Sequence, residues 1–95
     1  MLSLDQVDRS TFIPHVGETF EAVLPDGRLP FKLAEARSLG AARPGTAREP
    51  FVLTFHGAPK LRLPQHIYRL EHATLGAMEI FLVPIAAGQV EAVFS

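Results

Sequence analysis

Histidines are the residues of this sequence best suited to metal binding. The chain contains four of them: His15, His56, His66 and His72. A metal site needs ligands that converge, usually with support from carboxylates or cysteines. His66 and His72 lie on the same face of a predicted strand, where roughly 20 Å of extended chain would separate them. We therefore predict no metal site, and we interpret His15, between Pro14 and Gly17, as a structural turn residue.

Three glutamates near the C-terminus, Glu71, Glu79 and Glu91, are the remaining candidates for acid–base chemistry. Two carboxylates that come close together can share the roles of general acid and general base. Glu79 interrupts an apolar stretch, which indicates either a buried acid or a carboxylate paired across strands with Arg69 or Arg62. The sequence has no cysteine, no Gly-x-Ser-x-Gly elbow and no glycine-rich phosphate loop. We predict no catalytic, cofactor-binding or metal-binding residues, no cofactor and no enzyme activity.

The charge pattern argues against nucleic acid as a partner. Nine Lys and Arg stand against ten Asp and Glu, and the basic residues are spread singly along the chain. Phosphate binding depends on clustered Lys and Arg. The opening MLSLDQVDRS lacks the regions of a signal peptide, and no apolar run approaches the roughly 20 residues of a membrane helix. We expect a cytoplasmic protein that binds neither nucleic acid nor membranes.

The hydrophobic pattern predicts a short N-terminal helix followed by strands. Ser3 can cap the helix, Gln6 can reach back to it, and Leu4, Val7 and Phe12 share roughly one side. Alternating apolar residues then predict strands in TFEAVL, FVLTFHG, KLRL and QVEAVFS.

Two segments between these strands are less regular. FKLAEARSL, from Phe31 to Leu39, contains good helix formers but has strand neighbours, so we favour a strand and keep a helix as the alternative. GAARPGTAREP has no apolar periodicity and is predicted to be the longest loop. The pattern predicts a mainly β fold, a small antiparallel barrel or sandwich of six or seven strands with a short N-terminal helix. Ninety-five residues fit one domain, 1–95.

The stretch IYRLEHATLGAMEIFLVPI predicts a hairpin in which the strand Ile67–His72 pairs with the segment Leu75–Ile85. The second strand is apolar on both faces, which favours a central position covered on both sides or by a partner. One face carries Met78, Ile80 and Leu82, and the other carries Phe81, Val83 and Ile85. Pro84 cannot donate a ladder hydrogen bond, so pairing must end or bulge there.

The composition predicts apolar surface on the outside of the folded chain. Hydrophobic residues make up 47% of the sequence, whereas a chain this small buries only about 60–65% of its unfolded surface. A large exposed apolar patch usually marks an interface. We expect a protein partner or a homo-oligomer, unless the N-terminal helix closes the patch within the monomer. The candidate interaction surface comprises Arg43, Arg48, Met78, Ile80, Leu82 and Val93.

Five segments occur in a characteristic order: PHVGETF, FVLTFHG, LPQHIYRLEH, FLVPI and EAVFS. In these segments the chain resembles, over essentially its whole length, a small bacterial family of stand-alone domains of unknown function. The resemblance implies an association with phage-tail-collar-like proteins and transfers no catalytic residues.

The expected function is a non-enzymatic interaction or assembly module, linked to a phage-tail-like structure. The alternatives are a small β-barrel that binds an apolar ligand and a minor enzyme that uses Glu79 or Glu91. The assembly interpretation is favoured because a six-stranded barrel of short strands is normally filled by its own side chains.

Overall fold

Six antiparallel strands close into a barrel in the computed structural model, which describes residues 1–41, 44–45 and 48–95. The described strands are β1 (Thr19–Leu24), β2 (Gly27–Ser38), β3 (Phe51–His56), β4 (His66–His72), β5 (Gly76–Ala86) and β6 (Gln89–Phe94). Their order around the barrel is β1-β2-β3-β6-β5-β4, and β4 closes the ring by pairing with β1. The predicted mainly β class and barrel architecture are confirmed.

A short helical segment precedes the barrel. It consists of α1 (Arg9–Phe12) and a 3-10 turn (Ile13–His15). The cap is Asp8, whose carboxylate accepts a hydrogen bond from the Thr11 backbone N–H while the Thr11 hydroxyl accepts one from the Asp8 N–H. The predicted cap at Ser3 is wrong, because the helix begins six residues later. This start places Phe12, fully buried, with its ring centroid 6.1 Å from that of Phe51 and 6.0 Å from that of Phe94.

Aromatic side chains fill the interior. Phe20 meets Phe55 edge-on at 5.4 Å between ring centroids, and Phe51 stacks on Phe94 at 4.5 Å. These four side chains point into the interior because every second residue of a barrel strand faces inward. The largest fully buried side chains are Phe12, Phe20, Phe31, Phe51, Phe55, Leu33, Leu53, Leu70, Met78, Leu82 and Val52.

The predicted β4–β5 hairpin is confirmed, with a register that runs from His66 opposite Leu82 to His72 opposite Gly76. Phe31–Leu39 is a strand as favoured, since β2 runs through Ser38. The pairing of β5 with β6 shifts register between Pro84 and Ala86, as the missing N–H of Pro84 requires.

The predicted strand KLRL is wrong. The backbone N–H of Leu61 donates to the carbonyl of Ala58, so the chain turns there, and residues 61–64 run without regular structure. Leu61 and Leu63 still pack against the core, which explains why an apolar alternation was present without a strand. Four residues of the predicted long loop, at positions 42, 43, 46 and 47, lie outside the described residues.

Of the two alternatives for β5, cover on both sides by the chain itself is wrong, whereas cover of one side by a partner stays a prediction. Met78, Ile80 and Leu82 are 0%, 2% and 1% exposed because they point into the interior, so they cannot belong to an exposed interaction surface. The face that remains outside is the other one, which carries Phe81 and Ile85. Within the described part of the chain, no helix has the length and apolar character needed to cross a membrane.

Candidate functional site: an outer apolar row and a histidine cluster

An apolar row crosses three neighbouring strands on the outside of the barrel. We define the outer row as Ile67 of β4, Phe81 of β5 and Val93 of β6, which are 57%, 49% and 60% exposed. Ile67 lies directly opposite Phe81. The β5–β6 register places Val83 opposite Glu91, and continuing it by two residues places Phe81 opposite Val93. The three side chains are therefore neighbours on one surface.

Polar groups border the outer row. Towards one end of the strands, Arg69 lies opposite Glu79, and towards the other end Glu91 lies opposite Val83. Phe81 and Val93 also form one wall of an open groove of about 330 Å³, to which Asp5 and Arg48 contribute. An apolar centre with a polar rim is the usual anatomy of a protein interface.

Arg48, a candidate from the sequence, lines this groove. Its side chain also holds neighbouring parts of the chain in place. Its guanidinium donates hydrogen bonds to the carbonyls of Leu4 and Val7 at 2.7 and 2.6 Å. It also lies over the rings of Phe51 and Phe94, 5.7 and 5.4 Å from their centroids. These contacts hold the N-terminal segment against the end of the barrel.

The candidates predicted from the sequence are thus only partly brought together. Val93 belongs to the outer row, and it lines the same groove as Arg48. Met78, Ile80 and Leu82 are inside the barrel. Arg43 lies outside the described residues. Ile67 and Phe81 were missed as candidates, although their exposed positions follow from strand alternation once Tyr68 and Ile80 are placed inside.

A second cluster joins three residues that the sequence analysis did not connect. Oε1 of Glu18 lies 2.8 Å from Nδ1 of His15 and 2.7 Å from Nε2 of His72. The His15 and His72 rings meet edge-on, with centroids 4.7 Å apart. His15 ends the 3-10 turn and His72 ends β4, so Glu18 links the helical segment to the β4–β5 turn. We call these three residues the histidine cluster.

The local chain path explains why Glu18 reaches both rings. Gly17 has a φ of +93°, which only glycine adopts without strain. Its N–H donates to the carbonyl of Leu33 at 2.7 Å, and the Leu33 N–H donates to the Glu18 carbonyl at 3.0 Å. The chain therefore turns after His15 and enters β1, and the hydrogen bonds to Leu33 hold this turn against β2. His15 is a turn residue as predicted, and it also takes part in the cluster.

Hydrogen bonds fix the protonation of His72. Its Nδ1 accepts from the backbone N–H groups of Thr74 at 3.1 Å and Leu75 at 3.0 Å. An atom that accepts these bonds carries no hydrogen, so the proton of the neutral ring lies on Nε2 and is donated to Glu18. The hydrogen bonds from His15 and His72 hold the pKa of the Glu18 carboxyl below its ordinary value of 4.5.

The cluster has the composition of a metal site but not the protonation of one. The three candidate ligand atoms lie within 4.8 Å of one another, a spacing that two histidines and a carboxylate could use for a metal ion. A histidine that binds metal through Nε2 normally donates its Nδ1–H to an acceptor. Nδ1 of His72 instead faces two donors. The arrangement fits a hydrogen-bonded clasp rather than a metal centre.

The three candidate carboxylates all lie on outward-facing or border positions. Glu71 accepts hydrogen bonds from Arg28 at 2.6 Å and from Arg69 at 3.0 Å. These bonds, that of Arg28 foremost, hold the pKa of the Glu71 carboxyl below its ordinary value. Glu79 is exposed, so its interpretation as a buried acid is wrong, and Glu91 is partly exposed. Arg69, one of the two predicted partners of Glu79 beside Arg62, is its register neighbour but donates to Glu71.

Comparison with known proteins finds a matching family. A family model described as "Domain of unknown function (DUF6916)" matches residues 7–94, nearly the whole chain. No curated protein matches the chain, and no solved structure does. The match agrees with the small family of unknown function that the sequence segments indicated.

Proposed function

We propose, for a chain that belongs to the DUF6916 family of domains of unknown function, a role as a non-enzymatic interaction or assembly module. The binding surface is the outer row. The observation that carries this proposal is the position of Phe81, a half-exposed aromatic side chain between two exposed aliphatic residues on adjacent strands. Contiguous exposed apolar side chains of this kind usually mark a binding surface.

The energetics favour binding at this row. Apolar surface removed from water contributes about 25 cal/mol per Å², and aromatic side chains at the centre of an interface carry a large share of binding energy. The three strands beneath the row are members of a closed hydrogen-bonded barrel. The surface is therefore already ordered, and little conformational entropy is lost when a partner docks.

A second copy of the chain is the simplest occupant, because a symmetric pair buries the same patch twice. The family resemblance supports a wider setting, in which the module joins a phage-tail-like assembly in the bacterial cytoplasm. An apolar ligand inside the barrel has less support, because aromatic side chains such as Phe20, Phe51 and Phe55 occupy the interior.

Light scattering on the purified protein at micromolar concentration tests the proposal. We expect the wild type to form a dimer or larger assembly and Phe81→Asp to be a monomer, because the carboxylate would be desolvated at the centre of the interface. Leu39→Asp is the matched control. Leu39 is 44% exposed and follows β2, which is two strands away from β6 and its residue Val93, so this variant should assemble like the wild type.

Two results would contradict the proposal. The first is equal assembly by Phe81→Asp and the wild type, which would place the interface elsewhere. The second is a wild-type monomer that also binds none of the proteins encoded by neighbouring genes.

A further inference from the structure

The histidine cluster joins the connection before β1 to the turn after β4, at the end of the pair of strands that closes the barrel. Glu18 and His15 belong to the connection between the helical segment and β1, and His72 begins the turn between β4 and β5. His72 is almost completely buried, with its side chain 3% exposed. Its ring also packs on Phe20, 4.4 Å away between centroids. Both ring nitrogens of His72 form hydrogen bonds within the protein, Nε2 with Glu18 and Nδ1 with the backbone of the following turn.

Only the neutral form of His72 satisfies all these contacts. A second proton would have to bind Nδ1, the atom that accepts the N–H groups of Thr74 and Leu75. The new N–H would then point at two other N–H groups, and both backbone donors would lose their acceptor. Two N–H groups that face a third N–H group lose their hydrogen bonds and repel it, so the ring can take up a proton at Nδ1 only if the turn moves away.

We propose that the histidine cluster is an acid-sensitive latch, which holds the helical segment and the β4–β5 turn together while His72 is neutral and releases them when His72 is protonated. His15 does not share this behaviour. Its Nδ1 donates to Glu18, and an imidazolium keeps this donor and adds a favourable charge. Protonation of His15 alone therefore leaves the latch closed.

The charged surroundings of His72 come from the connection before β1 and from the three strands β1, β2 and β4. The residues before β1 contribute Glu18 and His15. Glu21 of β1 and Glu71 of β4 line the same open surface pocket as His72, and Arg28 and Arg69 pair with Glu71. The arginines offset the two pocket glutamates. In direct contact with the ring, Glu18 accepts the Nε2–H and the backbone N–H groups of Thr74 and Leu75 point at Nδ1.

The latch would act at one end of the barrel. Its opening frees the 3-10 turn from β4 and uncovers the ring of Phe20, which His72 otherwise covers. Ile67, the β4 residue of the outer row, lies five residues before His72. The latch and the outer row share no residue, so failure of one proposal leaves the other standing.

Two NMR measurements on the wild-type protein test the latch. Long-range nitrogen–proton spectra of the imidazole rings at about pH 8, above the ordinary histidine range, should show His72 with its proton on Nε2. Hydrogen exchange of the Thr74 and Leu75 amides, corrected for the intrinsic pH dependence, should then accelerate as the solution is acidified. If each opening takes up one proton, the rate rises about tenfold per pH unit below roughly 6.5. The Leu53 amide in β3 is the internal reference and should not respond.

His72→Asn supplies the matched variant. The asparagine oxygen can accept the backbone N–H groups that follow it, as in an Asx turn, and it does not titrate. The Thr74 and Leu75 amides of this variant should lose their acid response. His56→Asn, at the exposed end of β3, is the control and should respond like the wild type. If His72→Asn does not fold, the pH slope of the wild type decides the question alone.

Three results would overturn the proposal. The first is a His72 ring with its proton on Nδ1. The second is a pair of turn amides that stay equally protected while His72 is protonated. The third is a response to zinc chloride. We expect zinc to leave the His72 Nε2–H signal unchanged. Loss of that signal together with shifts of both the His15 and His72 resonances would instead identify a metal site.

Discussion

Two adjacent residues of β5, Phe81 and Leu82, offer a direct test of which face of this strand is the core. Leu82 is 1% exposed and belongs to the buried cluster, whereas Phe81 is 49% exposed. Truncation of Leu82 to alanine removes about three methylene-sized groups, at about 0.8 kcal/mol each. The cavity that remains adds a further cost, and such replacements usually destabilise by about 2–5 kcal/mol. We expect a loss of about 2–4 kcal/mol from a domain whose total is of the order of 5–15 kcal/mol.

Urea denaturation followed by circular dichroism measures this loss. The midpoint should fall for Leu82→Ala with an unchanged slope, because the same surface is exposed on unfolding. Phe81→Ala is the matched control, and in the dissociated monomer it should change the free energy of unfolding by less than about 1 kcal/mol. A cost below about 1 kcal/mol for Leu82→Ala, or equal costs for the two variants, would refute the assignment of the faces.

Two further predictions concern the turns and the carboxylates. Gly88→Ala should destabilise more than Gly76→Ala, because both glycines have positive φ, at +76° and +82°, but only at Gly88 would a Cβ lie 2.6 Å from the carbonyl oxygen of Ala58. Thermal unfolding of the two variants measures the difference, and equal melting temperatures would show that the clash is relieved without cost. Acidification below about pH 4.5 should reduce stability, because the pKa values of Glu18 and Glu71 are lowered by folding and a carboxyl whose pKa falls on folding loses its stabilising contribution as it becomes protonated. Urea midpoints between about pH 7 and 3 should fall less steeply for Glu71→Gln, and the same slope as the wild type would assign the acid effect to other groups.

The fold was largely accessible from the sequence because strand alternation is a local signal. The β4–β5 hairpin and the irregular pairing at Pro84 both followed from short-range chemistry. The helix start did not, because two capping patterns compete. Ser3 is followed by Gln6, and Asp8 is followed by Thr11. The second is selected by long-range packing, since it places Phe12 against the barrel aromatics.

The choice of faces on β5 was also within reach of the sequence, through its partner strand. On β4, Tyr68 and Leu70 alternate with Arg69 and Glu71, so the charged face must point outward. The hairpin register places Arg69 opposite Glu79 and Leu70 opposite Met78. Side chains of paired residues lie on the same side of a sheet, so Met78 belongs to the core and Phe81 to the surface.

The histidine cluster was not predictable in this way. Glu18 and His72 are 54 positions apart, and neither lies in a motif that fixes their separation. They meet because the barrel closes between β1 and β4, where Glu21 lies opposite Glu71. Closure is a property of the whole sheet. The local alternation of apolar residues does not predict which two strands pair to close it.

The barrel itself explains why apolar surface remains outside. A closed sheet has a single interior, and in this six-stranded barrel the interior is already filled by the chain's own aromatic and aliphatic residues. Any further apolar residue must then lie on the outer face, where β5 places Phe81 and Ile85, both nearly half exposed. The N-terminal segment leaves these two side chains exposed, because its own apolar residues Val7 and Phe12 pack into the barrel core instead. The exposed aromatic residue in the middle of β5 is therefore not a by-product of an incomplete core, and this is the physical basis on which we propose that the outer row binds another protein.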